Sequence, residues 1–240
     1  MKCAGRTETG LRSQNEDCYL ILDTESLHAV AVSDGMGGHR AGETASATAI
    51  QTLSERLASG SGGWEAMLTK AFREANTAVH TLAQSDDSMY GMGCTLVAAI
   101  YDETHFAAAN VGDSRLYHFD GSTVRQVTHD HSFVAELVRR GIITAEEAKT
   151  HPRRNLITRS IGTESRVACD IFPCEWKPGD MLLLCSDGLC GVLSDAETAA
   201  FLRNSTDLDA TCAALISRAL QLGSRDNITV VLVQNDGGNA

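Results

Sequence analysis

The chain has 240 residues, 43% of them hydrophobic and 21% charged, with a formal net charge of -11. That length suits one large domain whose core needs no disulfide support. An acidic surface repels nucleic-acid phosphates and anionic lipid, so neither is expected as a partner, and a site that handles phosphate would need local positive charge. No stretch reaches the roughly 18 apolar residues of a membrane span, and the charged start at Met1, Lys2 and Arg6 leads into no apolar run of the kind a signal peptide needs. Eight cysteines could suggest a secreted protein, but none form a Cys-x-x-Cys pair, and Cys18, Cys94, Cys185 and Cys212 sit in apolar stretches as small core residues do. The expected home is the reducing cytoplasm.

Residues 19–22 and 27–33 read as two strands about a polar turn. Residues 41–57 carry helical spacing, and a glycine-rich break at 60–63 leads into a second helix at 64–83. Four strands follow, at 94–101, 105–111, 115–119 and 123–127, with Asp120-Gly121 as a hairpin signal. Their short connections imply antiparallel pairing. A helix over 132–140 ends at Gly141, and Thr144-Ala145-Glu146-Glu147 is a capping box opening a short helix before Pro152. The stretch 144–161 is the least regular in the interior and suggests a flap beside a site.

Strands at 169–174 and 181–186 precede a second capping box, Ser194 to Glu197. Asp207 caps a long helix to residue 222, Gly223 ends it, and 228–234 is a β-branched closing strand before a polar tail expected to fray. Helices bracketing a run of antiparallel strands predict an α+β fold of two packed sheets with helix pairs outside them. There is no internal repeat or long linker, so residues 1–240 read as one domain.

Three aspartates share one kind of location. Asp34-Gly35 ends the apolar run 29–33, Asp187-Gly188 ends the run 181–186, and Asp226-Asn227 stands directly before the run 228–232. If these strands are neighbours, the acids converge at one end of the sheets, as the oxygen ligands of a hard divalent cation would. Ahead of the first strand, Arg12 lies close to Glu16 and Asp17, placing a phosphate-matching fork beside two acids. Asp113, in Asn110-Val111-Gly112-Asp113-Ser114-Arg115, adds another turn acid.

The ordered set 10–17, 34–39 with Gly42-Glu43, 93–95, 111–115, 151–162, 186–188 and 226–227 closely resembles the PPM (PP2C-type) metal-dependent serine/threonine phosphatases, above all their compact bacterial members. The resemblance covers nearly the whole chain. It implies a four-layer α-β-β-α sandwich around two Mn2+ or Mg2+ ions, with a position for a third. Asp34 would bridge both metals, the Gly35 carbonyl would bind one, and Asp187 and Asp226 would bind the other. Glu16 and Asp17 would act largely through metal-bound water, Asp113 with Asp187 would match the third site, and Arg12 would grip the substrate phosphate. Water activated between two cations would attack phosphorus in line, with no covalent phosphoenzyme. Met36 stands where many eukaryotic relatives have a histidine held to protonate the leaving group, which leaves His39 or a metal-bound water for that task.

The implied activity is hydrolysis of phosphoserine and phosphothreonine on proteins by a monomer, opposing a bacterial eukaryotic-like kinase in growth control or secretion control. The alternatives are a catalytically weak sensor or scaffold of the same fold and a small-phosphoester hydrolase. Plainer readings stand beside several residues. Each aspartate could merely cap a turn, Arg12 could pair with Glu16 at the surface, and Asp113 could pair with Arg115 across a hairpin. His39 and His151 read as hydrogen-bonding or flap residues, and Arg153, Arg154 and Arg159 as either a substrate-guiding edge or solvated side chains.

Overall fold

Strands buried on both faces have no polar side to show, and the central strands here are apolar almost without a break. In β3 (His28–Met36), Val30 and Val32 point into the space between two sheets, while Ala29 and Ala31 point at helices. The computed structural model describes residues 1–37 and 41–237. Its first sheet runs β1 (Lys2–Glu8), β11 (Ile228–Gln234), β10 (Met181–Cys185), β7 (Arg115–Phe119), β8 (Val124–Gln126). The second runs β2 (Asp17–Asp23), β3, β5 (Leu96–Tyr101), β6 (His105–Val111), β9 (Asp170–Glu175), with β4 (Gly93–Cys94) beside the end of β3. All the pairings are antiparallel.

Three apolar layers hold this arrangement. Val30, Val32, Val97, Leu182, Leu184, Val231 and Val233 meet between the sheets. The outer face of the second sheet is rich in alanine (Ala29, Ala31, Ala98, Ala107, Ala109), and its small side chains let α1 (Ala41–Ala58) and α2 (Trp64–Ser85) settle close. On the far side α6 (Asp195–Arg203) and α7 (Leu208–Gln221) cover Leu183, Val230 and Leu232. The fold is therefore the expected α-β-β-α sandwich.

The local signals act as physics requires. Both capping boxes form, Thr144 with Glu147 at the start of α4 (Ala145–Thr150) and Ser194 with Glu197 at α6. Ser132 caps α3 (Phe133–Arg139), and Gly141 takes a positive φ of 68° just past it. Asp187 opens a short helix, α5 (Asp187–Cys190), where the sequence suggests only a turn. The predicted strand 94–101 is interrupted at Thr95, though its register against β3 is continuous. There the Asp34 N–H donates to the Thr95 hydroxyl, at 2.9 Å, instead of to a carbonyl.

One strand goes unread in the sequence and one expectation needs correction. β1 carries too few apolar residues to be read as a strand, because it lies at a sheet edge. Gly5 within it leaves room for the Tyr19 ring, which would come within 2.6 Å of a Cβ there. The tail does not fray at Asn235, which is fully buried. The Asn235 side chain donates to Glu103 O at 2.8 Å and its N–H donates to Asp180 O at 3.0 Å. The described tail thus closes the end of the sandwich opposite Asp34. Asn235→Ala strips Glu103 O of a buried donor and is expected to cost about 1–3 kcal/mol, read as a lower urea midpoint with unchanged slope. A midpoint equal to that of the parent protein would mean that the tail is not anchored.

Candidate metal centre

The register of β2 against β3 sets Asp17 directly opposite Asp34. Asp17 then ties one sheet to the other. Its Oδ2 accepts hydrogen bonds from the Ser186 hydroxyl at the end of β10 and from the Thr229 hydroxyl in β11, both at 2.7 Å. Asp187 follows Ser186, and Asp226 stands just ahead of β11 with its Oδ1 accepting the Asn227 N–H at 2.9 Å. The two meet because Gly188 has no Cβ: one placed there would lie 2.0 Å from Asn227 O.

The loop bearing Arg12 and Glu16 is fastened by the Asn227 side chain. Its Oδ1 accepts the Glu16 N–H at 2.8 Å, and its Nδ2 donates to Thr9 O and Gln14 O, each at 2.9 Å. A Cβ on Gly35 would sit 2.1 Å from Gly42 O, so glycine is required there by close approach, and one on Gly42 would sit 2.6 Å from the Glu16 carboxyl carbon, so it would displace that carboxyl. Asp113 follows Gly112, whose φ of 108° and contact with Thr95 also favour glycine. Thr95 joins the two turns, since its hydroxyl accepts from Asp34 N–H and lies 2.7 Å from Ser114 Oγ.

The acids sit in a shared field. Burial and neighbouring carboxylates push Asp17 and Asp113 up to about 7. The same causes hold Asp34 well above the usual carboxylate range and raise Asp187. Burial raises Glu16 as well. Asp17 Oδ1 and Asp187 Oδ1 are buried with no hydrogen-bond partner. Orphaned anionic oxygens among other acids fit divalent cations bound through oxygen. Among the described residues no three acid, histidine or cysteine side chains close on one point as a finished cage. Asp226 contributes to this openness, because it faces Arg12 Nη2 at 2.7 Å.

Other candidate residues fall differently. Arg12 pairs with Asp226, not with Glu16. Arg115 forks onto Asp130, at 2.7 Å, and does not pair with Asp113. Arg159 pairs with Asp170, whereas Arg153 lies over the Phe133 ring and Arg154 is exposed. His151 ends α4 and packs against Phe133. His39 lies outside the described residues. The anchoring roles of Thr95, Ser186, Asn227 and Thr229 were not visible from the sequence. For Ser186 and Asn227 the available signal was a small polar residue next to an acid at the boundary of an apolar run, whereas Thr95 and Thr229 adjoin no acid in the sequence.

Carboxyls held near 7 in the folded state, against an ordinary 3.8, bind more protons than the unfolded chain between those values. Stability in chelator should then fall as pH rises through that window. The expected outcome is a urea midpoint that climbs as pH drops from about 8 to about 5, with added Mn2+ flattening the slope. A midpoint that climbs with pH in chelator would contradict the crowding of these acids.

The chain matches the protein phosphatase 2C family over residues 4–226. It is 40% identical over 238 residues to the serine/threonine phosphatase stp of Listeria monocytogenes serovar 1/2a, spanning 96% of this chain and 94% of that protein. A crystal structure of a bacterial serine phosphatase superposes with a TM-score of 0.93 at 36% identity, covering 100% of both chains. The catalytic domain of the serine/threonine phosphatase PstP, solved with two manganese ions, superposes with a TM-score of 0.87 at 34% identity over 97% of each chain. With the family matched along nearly its full length and the fold reproduced, the chain belongs to the metal-dependent protein phosphatase 2C family.

Proposed function

We propose that this chain is a protein-serine/threonine phosphatase that works as a monomeric, single catalytic domain in the cytoplasm, with residues 144–161 as a flap. The observation that carries this reading is the gathering of Asp17, Asp34, Asp113, Asp187 and Asp226 at one end of two sheets, with Arg12 at the rim. Free cysteines throughout are compatible with a reducing compartment, and no helix among the described residues is long and apolar enough to cross a membrane. Proteins phosphorylated by a serine/threonine kinase are the proposed substrates.

When bound, a pair of Mn2+ or Mg2+ ions supplies an activated water and neutralises charge on the phosphoryl oxygens. Asp34, the Gly35 carbonyl, Asp187 and Asp226 would hold the pair, with Asp113 and Asp187 offering a third position and Glu16 and Asp17 supporting from the side. Asp17 also fixes the distance between the sheets through Ser186 and Thr229. The Arg12 side chain is 58% exposed, so its guanidinium can exchange Asp226 for a phosphate that offers two oxygens to its fork. Neither a cysteine nor a serine is needed as nucleophile. The rival sensor or scaffold reading would be favoured by lost acids, and none of these is missing from the chain.

Manganese-dependent phosphate release from a phosphothreonine peptide tests the reading. Asp34→Asn and Asp187→Asn are expected to lose at least about 100-fold in kcat while remaining folded, and both should raise stability in chelator by removing a repelling charge. Wild-type turnover in either variant would overturn that ligand's role, and activity that survives chelator would overturn the mechanism. A higher kcat/KM on small metabolite phosphates than on the peptide would favour the small-phosphoester alternative. Arg12→Ala is expected to raise KM for the peptide about 10-fold or more. An unchanged KM would show that Arg12 does not hold the phosphate.

A further inference from the structure

One buried histidine stands outside the acid cluster yet touches the turn that carries Asp113. His131 is 4% exposed. Its Nδ1 accepts the Gly112 N–H at 3.1 Å, and the His131 backbone N–H donates to Gly112 O at 2.9 Å. A backbone N–H can only donate, so Nδ1 carries no proton and the ring proton lies on Nε2. From there it donates to Asp170 Oδ2 at 3.1 Å. Arg159 Nη1 donates to Asp170 Oδ1 at 2.7 Å and to Ala168 O at 3.1 Å. It also lies 3.0 Å from His131 Nε2, and because both nitrogens carry protons the Asp170 carboxylate serves as acceptor for the two.

The same stretch of backbone clasps the end of the 144–161 segment. His131 O accepts the Thr158 N–H at 2.8 Å, Ser132 bridges Ile157, and the Phe133 N–H donates to Leu156 O at 2.8 Å. Three residues further on, Ile161 exchanges backbone hydrogen bonds with Cys94, the neighbour of Thr95, at 2.8 and 3.0 Å. The Gly112 peptide cannot relax independently of this assembly. Its φ of 108° is matched to the Thr95 side chain, to which a Cβ on Gly112 would come within 2.6 Å. One imidazole therefore connects the Asp113 turn to Asp170, Arg159 and the returning end of the segment.

We propose that His131 is a positioning residue for phosphoester hydrolysis, locking the Asp113 turn to the end of the 144–161 segment so that cation binding at Asp113 and the seating of that segment favour each other. The proposal rests on the phosphatase reading above for its link to catalysis. The coupling itself is a property of the fold. Linkage makes it reciprocal: a cation that stabilises Asp113 in its present place must also hold the segment down, and by the same factor. His131 acts as an outer partner that orients a ligand without touching the ion.

Two substitutions separate the halves of the clamp. His131→Asn keeps an acceptor near the place of Nδ1 and removes the proton donor to Asp170. His131→Gln reaches toward Asp170 and removes the acceptor for Gly112. Segment seating is read as trypsin nicking after the exposed Arg153 and Arg154, with and without Mn2+. Turn order is read as hydrogen exchange at the Gly112 amide, and both are measured on the full chain beside phosphopeptide turnover.

In the parent protein Mn2+ should slow nicking by about fivefold or more, and Asp113→Ala should remove most of that protection. His131→Gln should speed Gly112 exchange and raise the half-saturating Mn2+ concentration by about fivefold or more. His131→Asn should keep that concentration within about twofold of the parent, with nicking accelerated. The proposal is overturned if Mn2+ leaves nicking of the parent protein unchanged, if Asp113→Ala keeps full protection, or if both histidine variants show parental Mn2+ dependence and differ only in overall stability. Should either histidine variant fail to fold, the parent and Asp113→Ala comparison still decides. A parent protein that shows coupled nicking but no phosphopeptide turnover would instead refute the phosphatase reading and leave the clamp standing.

Discussion

Carboxylates brought together at the seam of two sheets repel one another, and that repulsion is the constraint on which the rest of this structure depends. Asp17 and Asp34 are paired by strand register, and Asp113, Asp187 and Asp226 raise the proton affinity of one or both. Left alone, such a group favours separation of the sheets or uptake of protons. The fold resists both by fixing the acids through backbone and hydroxyl contacts that owe nothing to their charge. Ser186 and Thr229 hold Asp17, Thr95 holds the Asp34 peptide, and Asn227 holds the Glu16 loop. An ion placed among them therefore meets oxygens already ordered, and the cost of ordering them is borne by folding.

Glycine makes this density possible. At Gly35 and Gly188 the close neighbour is a backbone carbonyl, so no side-chain rotation could relieve an added methyl, whereas at Gly42 the Glu16 carboxyl itself would have to move. The glycines that follow Asp34 and Asp187 in the sequence thus have a cause that is steric before it is chemical. They let α1, the Glu16 loop and the Asp226 turn approach the strands closely enough for their acids to share a field.

Much of this was legible from residues alone, and the limits of legibility are physical. Strands buried on both faces announce themselves as apolar runs, and the runs ending at Asp34 and Asp187 and beginning after Asp226 mark where these acids lie. Capping boxes at Thr144 and Ser194 are local and formed as read. Edge strand β1 was not legible, because an edge strand needs little apolar surface and its pairing with β11 spans the chain. Partner choice was not legible either. Arg115 has Asp113 two residues away in sequence, yet Asp130 across a turn meets its fork. Likewise Arg12 lies four residues from Glu16 but pairs with Asp226, which only the fold brings near. Sequence proximity ranks ion pairs poorly wherever strands bring distant turns together.

Because the acids are distributed over both sheets, the geometry of the centre is also a readout of how the sheets pack. Asp34 belongs to one sheet and Asp187 and Asp226 to the other, so the valines and leucines between them set the spacing of the oxygens. Packing at native density leaves little slack, so a methyl lost at Leu184 or Val231 would be only partly absorbed by the surrounding strands. A loop-borne site could absorb such a shift. This one cannot, since Asp17 bonds across the seam and transmits any change in sheet separation to the oxygens beside it. Stability of the inter-sheet core and the arrangement of the clustered acids are then two aspects of one packing problem, joined at Asp17, whose carboxylate is fastened across the seam.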